Sequence, residues 1–243
     1  MRKLNHSKLK SFFIGTLLGD SYIINGSFHC KQISKDLIYF KKAIIEKYLP
    51  NVTVIVTEHA EYTDSNGVAH QKYYQLRTYK HRYFSKLEKI FYTKDRIKRY
   101  PPKSVLKLDP LGFAMWFADD GTTILVNRGK SRRVQICTDN FTFDEQQMIA
   151  NELKQIGHPN IKIINRCRNN QFRIQINTTF QQFICSISDY FYNYFPSLLY
   201  KMDLGYRDRQ LTTAYVSQEY RDCYSKISAH PQFKDRLAED DIV

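Results

Sequence analysis

Apolar residues at Leu9, Phe12, Phe13, Ile14, Leu17 and Leu18 recur at helical spacing, and the pattern stops at Asp20. The next segment, SYIINGSFHCKQI, sets Asn25-Gly26 between two β-prone runs, the dipeptide that supplies the positive φ of a tight hairpin turn. Residues 34–48 return to helical spacing with Leu37, Ile38, Phe40, Ile44, Ile45 and Tyr48, and Pro50 closes the run. TVIVTEHA and QKYYQLRTY then predict two strands around a polar loop holding Asp64, Asn66 and Gly67. HRYFSKLEKIFY predicts a helix, and the basic, proline-containing stretch TKDRIKRYPPKSV predicts a linker.

After the linker the same order returns. A helix is predicted from about Pro110 to Asp120, and TTILV and RRVQICT flank a basic turn. Thr142 and Glu145 form a capping-box signature at the next helix, IKIINRCR and QFRIQIN form a hairpin around Asn169-Asn170, and TTFQQFICSISDYFYNYF supplies the last helix before Pro196. The pattern predicts an α+β fold made of two tandem αββαββα units, residues 1–104 and 105–205, related by a pseudo-twofold axis. Residues 206–243 form an extension in which YRDRQLTTAYVSQEYRDCYSKI reads as a further helix without an assigned role.

Spacing tests the repeat independently. Asp20 and Asp120 lie 100 positions apart, each at the end of the first helix of its unit. Lys98 follows Asp20 by 78 positions and Lys201 follows Asp120 by 81, each after the unit's last helix. An isolated Asp after a helix is ordinarily a turn residue, but a carboxylate at a helix C-terminus opposes the helix dipole unless a cation offsets it. Gly15 with Gly19, and Ala114 with Ala118, are spaced i, i+4 and would let the two first helices pack closely and bring the aspartates together. Two carboxylates with Mg²⁺ and nearby lysines suit phosphodiester hydrolysis, which needs an activated water and neutralised phosphoryl and leaving-group oxygens.

The strands alternate. Phe172, Ile174 and Ile176 leave Arg173, Gln175 and Asn177 on the opposite face; Tyr74 and Leu76 leave Gln75 and Arg77; Val134 and Ile136 leave Arg133 and Gln135; Phe28 and Cys30 leave His29 and Lys31. Most alternating strands have a solvated polar face. Here that face favours Arg, Lys, Gln and Asn over Asp and Glu, the side chains that read base edges from a ribbon in the major groove.

Charge points the same way. Net charge is +13, with 21 Lys and Arg against 9 Asp and Glu over residues 1–110 and 16 against 15 over the remainder. A field of this sign over the body of the chain attracts polyanions, nucleic acid foremost. No stretch approaches the roughly 18–20 apolar residues of a membrane span, and the N-terminal run, broken by Gly15, Thr16 and Gly19, lacks a signal-peptide design. Five scattered cysteines without metal-ligand spacing point to a reducing intracellular compartment, either an organelle or bacterial or phage cytoplasm. The histidines show no ligand spacing, and Trp116 and DYFYNYF read as core.

FIGTLLGDS, residues 13–21, and FAMWFADDG, residues 113–121, resemble the two copies of the LAGLIDADG motif, and over about residues 9–205 the chain resembles a single-chain LAGLIDADG homing endonuclease. The resemblance implies two central packed motif helices beneath two antiparallel β-saddles, and a monomer that makes a double-strand break with short 3′ overhangs in a long recognition site. It implies that Asp20 and Asp120 bind catalytic Mg²⁺, with Mn²⁺ able to substitute, and that Gly19 and Asp119 offer backbone carbonyls. Lys98 in KRYPP and Lys201 in LLYKM take the places of the basic residues that polarise water or phosphate. Gln32 takes the place of a water-positioning residue, and Asp139 the comparable place in the second unit. The partner implied is double-stranded DNA, with intron RNA for a splicing maturase as the alternative and a non-cleaving DNA-binding regulator as a third reading; retention of both aspartates favours cleavage. Met115, Trp116 and Asp119 depart from the motif, which predicts unequal halves and unequal cutting of the two strands.

Overall fold

The computed structural model describes residues 6–64, 67–126, 131–166 and 171–202, together with 222–223, 225–226 and 229–231. At its centre lie the two helices the sequence singled out, α1 (His6–Leu18) and α4 (Pro110–Asp120). Both are apolar nearly all round, and residues 11–19 and 111–119 are buried, as expected of helices with no solvated face. Pro110 stands in the first turn of α4, where its missing N–H costs nothing, and the Asp109 carboxylate caps the helix by accepting from the Gly112 N–H at 3.0 Å.

The two helices meet at a glycine contact. A Cβ on Gly15 would lie 2.0 Å from the Gly112 carbonyl oxygen, and one on Gly19 would lie 2.5 Å from the Asp119 Cβ. Gly15 and Gly19 make the close approach expected of them, and Ala114 and Ala118 are fully buried; the tightest point, Gly112 against Gly15, was not foreseen, and there two main chains meet with no room for any side chain. Ser11 ties the crossing by donating to the Asp109 carboxylate at 2.6 Å.

Each motif helix feeds a four-stranded antiparallel sheet. The first contains β1 (Tyr22–Ile24), β2 (Ser27–Gln32), β3 (Val54–His59) and β6 (Tyr73–Thr78) in the order β1-β2-β6-β3; a short ribbon of β4 (Tyr62–Thr63) and β5 (Ala69–His70) extends its second hairpin where a loop was expected. The second contains β7 (Gly121–Val126), β8 (Ser131–Cys137), β9 (Ile161–Arg166) and β10 (Gln171–Ile176) in the order β7-β8-β10-β9, the same topology. The Asn25-Gly26 turn has both residues at positive φ, 52° and 73°, as its sequence predicts. The turns predicted at 127–130 and 169–170, and most of the helix predicted within 206–243, lie outside the described residues.

Helices α2 (Lys35–Tyr48), α3 (Arg82–Phe91), α5 (Phe143–Gln155) and α6 (Phe180–Tyr194) cover the apolar sheet faces, which bury Phe28, Leu76, Val134, Ile136, Ile174 and Ile176. Ser34 caps α2, and Thr142 with Glu145 forms a complete capping box on α5, a device that stabilises a helix by about 1 kcal/mol. Short 3-10 helices at Val105–Lys107 and Pro196–Met202 follow the third helix of each unit. Among the described residues no helix is long and apolar enough to cross a membrane.

Candidate active site

Asp120 is the last residue of α4, and Asp20 lies in the turn just past α1. The Gly15–Gly112 crossing brings the two ends together, so that the Asp120 and Asp20 carboxyl groups act directly on one another. Burial, then the charges of Asp20 and Asp119, push the Asp120 carboxyl up to about 8, with Lys98 pulling against them.

The two lysines reach the same place from the ends of the units. Lys98 Nζ donates to the carbonyls of Gly19 at 2.6 Å and Ser21 at 3.3 Å. Lys201 Nζ donates to those of Ala118 at 2.6 Å and Asp119 at 3.0 Å. Each ammonium therefore sits on the C-terminal carbonyls of a motif helix, where the helix dipole favours a cation. Burial lowers the pKa of both lysines, against the pull of the three aspartates.

Gln32, at the end of β2, also reaches the pair: its Nε2 donates to Asp20 Oδ2 at 3.4 Å and to Asp119 Oδ1 at 3.0 Å. Asp139 does not follow suit, facing Arg173 at 3.8 Å instead. The Asp119 side chain acts on the centre by its charge but does not point into it. It turns into the protein and meets Lys41 of α2, whose Nζ lies 2.7 and 2.9 Å from the two carboxylate oxygens, with both side chains wholly buried. Burial alone would discharge Lys41, but the opposing charge and hydrogen bonds of Asp119, with the Cys30 thiol, outweigh it and raise the ammonium pKa. Burial pushes the Asp119 carboxyl up while Lys41 pulls it down, and both of its oxygens face the ammonium as acceptors.

Sequence reasoning missed Lys41, although a signal exists. It stands in the buried stripe of α2 with Leu37, Ile38 and Ile45, where a lysine requires an anion. Two further supports also escaped it. Asp36 of α2 accepts from the Ser197 backbone N–H at 2.9 Å, holding the segment that carries Lys201. Glu145 of α5 accepts from the Tyr100 N–H at 2.7 Å, and Glu152 accepts from the Tyr100 hydroxyl and from the N–H groups of Lys103 and Val105, holding the segment that carries Lys98. Each unit's third helix is thus followed by a lysine segment pinned by a carboxylate from the opposite unit. The capping box announced Glu145 only as a local contact; its second oxygen makes the distant one.

On the first sheet the expected polar residues share one face, with His29 opposite Arg77 and Lys31 opposite Gln75. Lys31 and Arg77 are exposed. Tyr22 stacks on His29 at 5.1 Å, and His59 stacks on Tyr73 at 4.5 Å, adding flat, pre-positioned rings to that face by strand alternation. Burial and Arg77 lower the His29 pKa, so its imidazole is neutral at pH 7.

The second sheet departs from expectation. Arg133 and Arg173 are half-buried, but Gln135 and Gln175, expected on an open face, are only 7% and 2% exposed. Gln135 accepts from Arg173 at 3.5 Å, Gln175 donates to Asn177, and Asn177 donates to the Asn160 carbonyl at 3.0 Å. A buried amide needs a partner, so the two glutamines bond to neighbouring side chains rather than standing as a row of open contacts. Alternation placed them on the correct face but could not reveal how deeply the neighbouring strands cover them.

The LAGLIDADG DNA endonuclease family model matches residues 10–193. Among solved structures, the homing endonuclease I-WcaI bound to its DNA recognition sequence is 23% identical, with 81% of this chain and 86% of that one covered at a TM-score of 0.66. Mesophilic variants of the homing endonuclease I-DmoI are 15% identical, covering 74% of this chain and 95% of theirs at 0.46. The N-terminal LAGLIDADG domain of DUF199/WhiA is 15% identical, covering 75% of this chain and 82% of its own at 0.47.

Proposed function

We propose, because the chain belongs to the LAGLIDADG DNA endonuclease family, that it cleaves both strands of a specific DNA duplex with a divalent metal, leaving short 3′ overhangs. The observation that carries this reading is the convergence of Asp20, Asp120, Lys98 and Lys201 on the ends of the two motif helices. Among the described residues no three His, Cys, Asp or Glu side chains form a metal cage. The available set is two carboxylates and the Gly19 and Asp119 carbonyls, all hard oxygen donors. That set fits Mg²⁺, which keeps several waters and accepts one or two carboxylates, and Mn²⁺ would fit the same donors. Ammonium groups already rest on both carbonyls, which supports reading them as cation-facing oxygens.

Bound there, Mg²⁺ would neutralise the charge building on the phosphoryl oxygens and lower the pKa of a coordinated water. The protein's own groups do the remainder. Asp20 and Asp120 would hold the cation. Lys98 and Lys201 would face the phosphate as charge stabilisers. Gln32 orients a water beside Asp20. His29, Lys31, Gln75 and Arg77 from the first sheet, with Arg133 and Arg173 from the second, would contact the duplex on either side.

The test is incubation of the purified protein and Mg²⁺ with the uninterrupted junction of its host gene. Both strands are expected to be cut, and Asp120→Asn should reduce the rate by at least about a hundredfold. Intact duplex with the native protein, or unchanged cutting by Asp120→Asn, would contradict the reading.

A further inference from the structure

The two units differ most where a symmetric enzyme would have them alike. Lys41 stands seven residues after the helix cap Ser34; seven after the matching cap Thr142 stands Ile149, fully buried and apolar. Asp119 precedes Asp120; the residue preceding Asp20 is Gly19, whose missing side chain leaves the space that the Asp119 Cβ fills. Gln32 ends β2 beside the aspartates, whereas Asp139, its counterpart, is drawn to Arg173. A lysine, an aspartate and a glutamine are therefore joined on one side of the pseudo-dyad, and none of the three joins has a copy on the other.

Stability does not explain the ion pair. Replacing a buried ion pair by apolar residues of similar volume is often neutral or stabilising, and the Ile149 side of the molecule shows the apolar alternative in place. The pair does fix an orientation. Carboxylates only accept, so Gln32 must turn its Nε2 toward Asp119 and Asp20, which directs its Oε1 elsewhere, free to accept from a water. Asp119 can do this only while its carboxyl group is held immobile. Lys41 holds it through both oxygens, and is itself held by Cys30 Sγ at 3.3 Å and Ser21 Oγ at 3.5 Å.

We propose, resting on the cleavage reading above, that Lys41 is a positioning residue which acts through Asp119 to fix Gln32 beside Asp20, giving one of the two cleavage sites an oriented water-directing amide that the other lacks. The double variant Lys41→Ile with Asp119→Ala removes both buried charges and copies the second unit's apolar arrangement. Its melting temperature should equal or exceed that of the native protein, whereas Lys41→Ile alone, leaving Asp119 uncompensated, should melt well below it.

Two measurements on the double variant then decide. In the metal-free and DNA-free protein, the Gln32 side-chain amide protons should be shifted and protected from exchange in the native chain and revert to solvent-exposed values in the double variant. Native-like amide resonances in the double variant would overturn the proposal. On a supercoiled plasmid carrying the target, with the strands labelled separately, the double variant should slow the strand served by Gln32 at least about tenfold more than the other. Gln32→Leu in the otherwise native chain should reproduce that bias, and should add nothing in the double variant. Equal slowing of both strands would overturn the proposal. A native protein that cuts neither strand would instead refute the cleavage reading, and the amide measurement would still decide the role of Lys41.

Discussion

Asp120 is held as an acid whose folded form keeps its proton from its ordinary 3.8 up to about 8, because burial and two neighbouring aspartates disfavour its charge. Across that window the folded protein binds more protons here than the unfolded chain, so this site lowers stability progressively as pH rises, and the loss is complete above about 8. Asp120→Asn, a neutral isostere, should therefore raise the melting temperature of the metal-free protein. The gain should be absent near pH 4, grow to several degrees by pH 8 and then level off. Calorimetric scans at successive pH values check this; a gain independent of pH would contradict it. The same residue could be found in the sequence by its repeat at 100 positions, but its protonation could not, because that depends on Asp119 and Asp20, which only the helix crossing brings close.

At the scale of elements, α4 was legible almost to the residue. Asp109 and Pro110 announce its start, and the end of the apolar run at Asp120 marks its finish. The adjacent pair β2 and β6 was not legible, since local alternation defines hairpins but says nothing about which hairpin edges join. Nor were the carboxylate pins on the lysine segments, because Asp36 and Glu152 read as ordinary helix-surface acids until their distant N–H partners are known. Glu152→Ala should leave the Lys103 and Val105 N–H groups and the Tyr100 hydroxyl unsatisfied, at a cost of about 3 kcal/mol in urea denaturation. Hydrogen exchange should accelerate over residues 100–105 more than in α1 or α4. Uniform acceleration through the chain would show that Glu152 supports the fold generally and not the Lys98 segment.

Over the whole molecule, the excess of positive charge in residues 1–110 coincides with the sheet whose face carries the exposed Lys31 and Arg77. If that face meets the duplex, the logarithm of the binding constant should fall linearly with that of salt concentration, and Arg77→Ala should reduce the slope by about 1. Fluorescence anisotropy across a KCl series measures it; an unchanged slope would move the contact elsewhere. The second sheet should contribute less to this dependence, because its glutamines are buried in their own network and Arg173 faces Asp139. Alternation made the two sheets look equivalent; charge and depth of burial separate them.

The exchange of pins between units also governs what can be recombined. Asp36 belongs to the first unit and serves the Lys201 segment of the second; Glu145 and Glu152 belong to the second and serve the Lys98 segment of the first. A chimaera joining this first unit to a relative's second unit would keep both aspartates, yet anchor each lysine only if the donor happened to supply matching partners. Grafting Asp36 with Ser197, and Glu145 and Glu152 with the Tyr100–Val105 stretch, as linked sets is the requirement this architecture places on anyone who would reprogram one half.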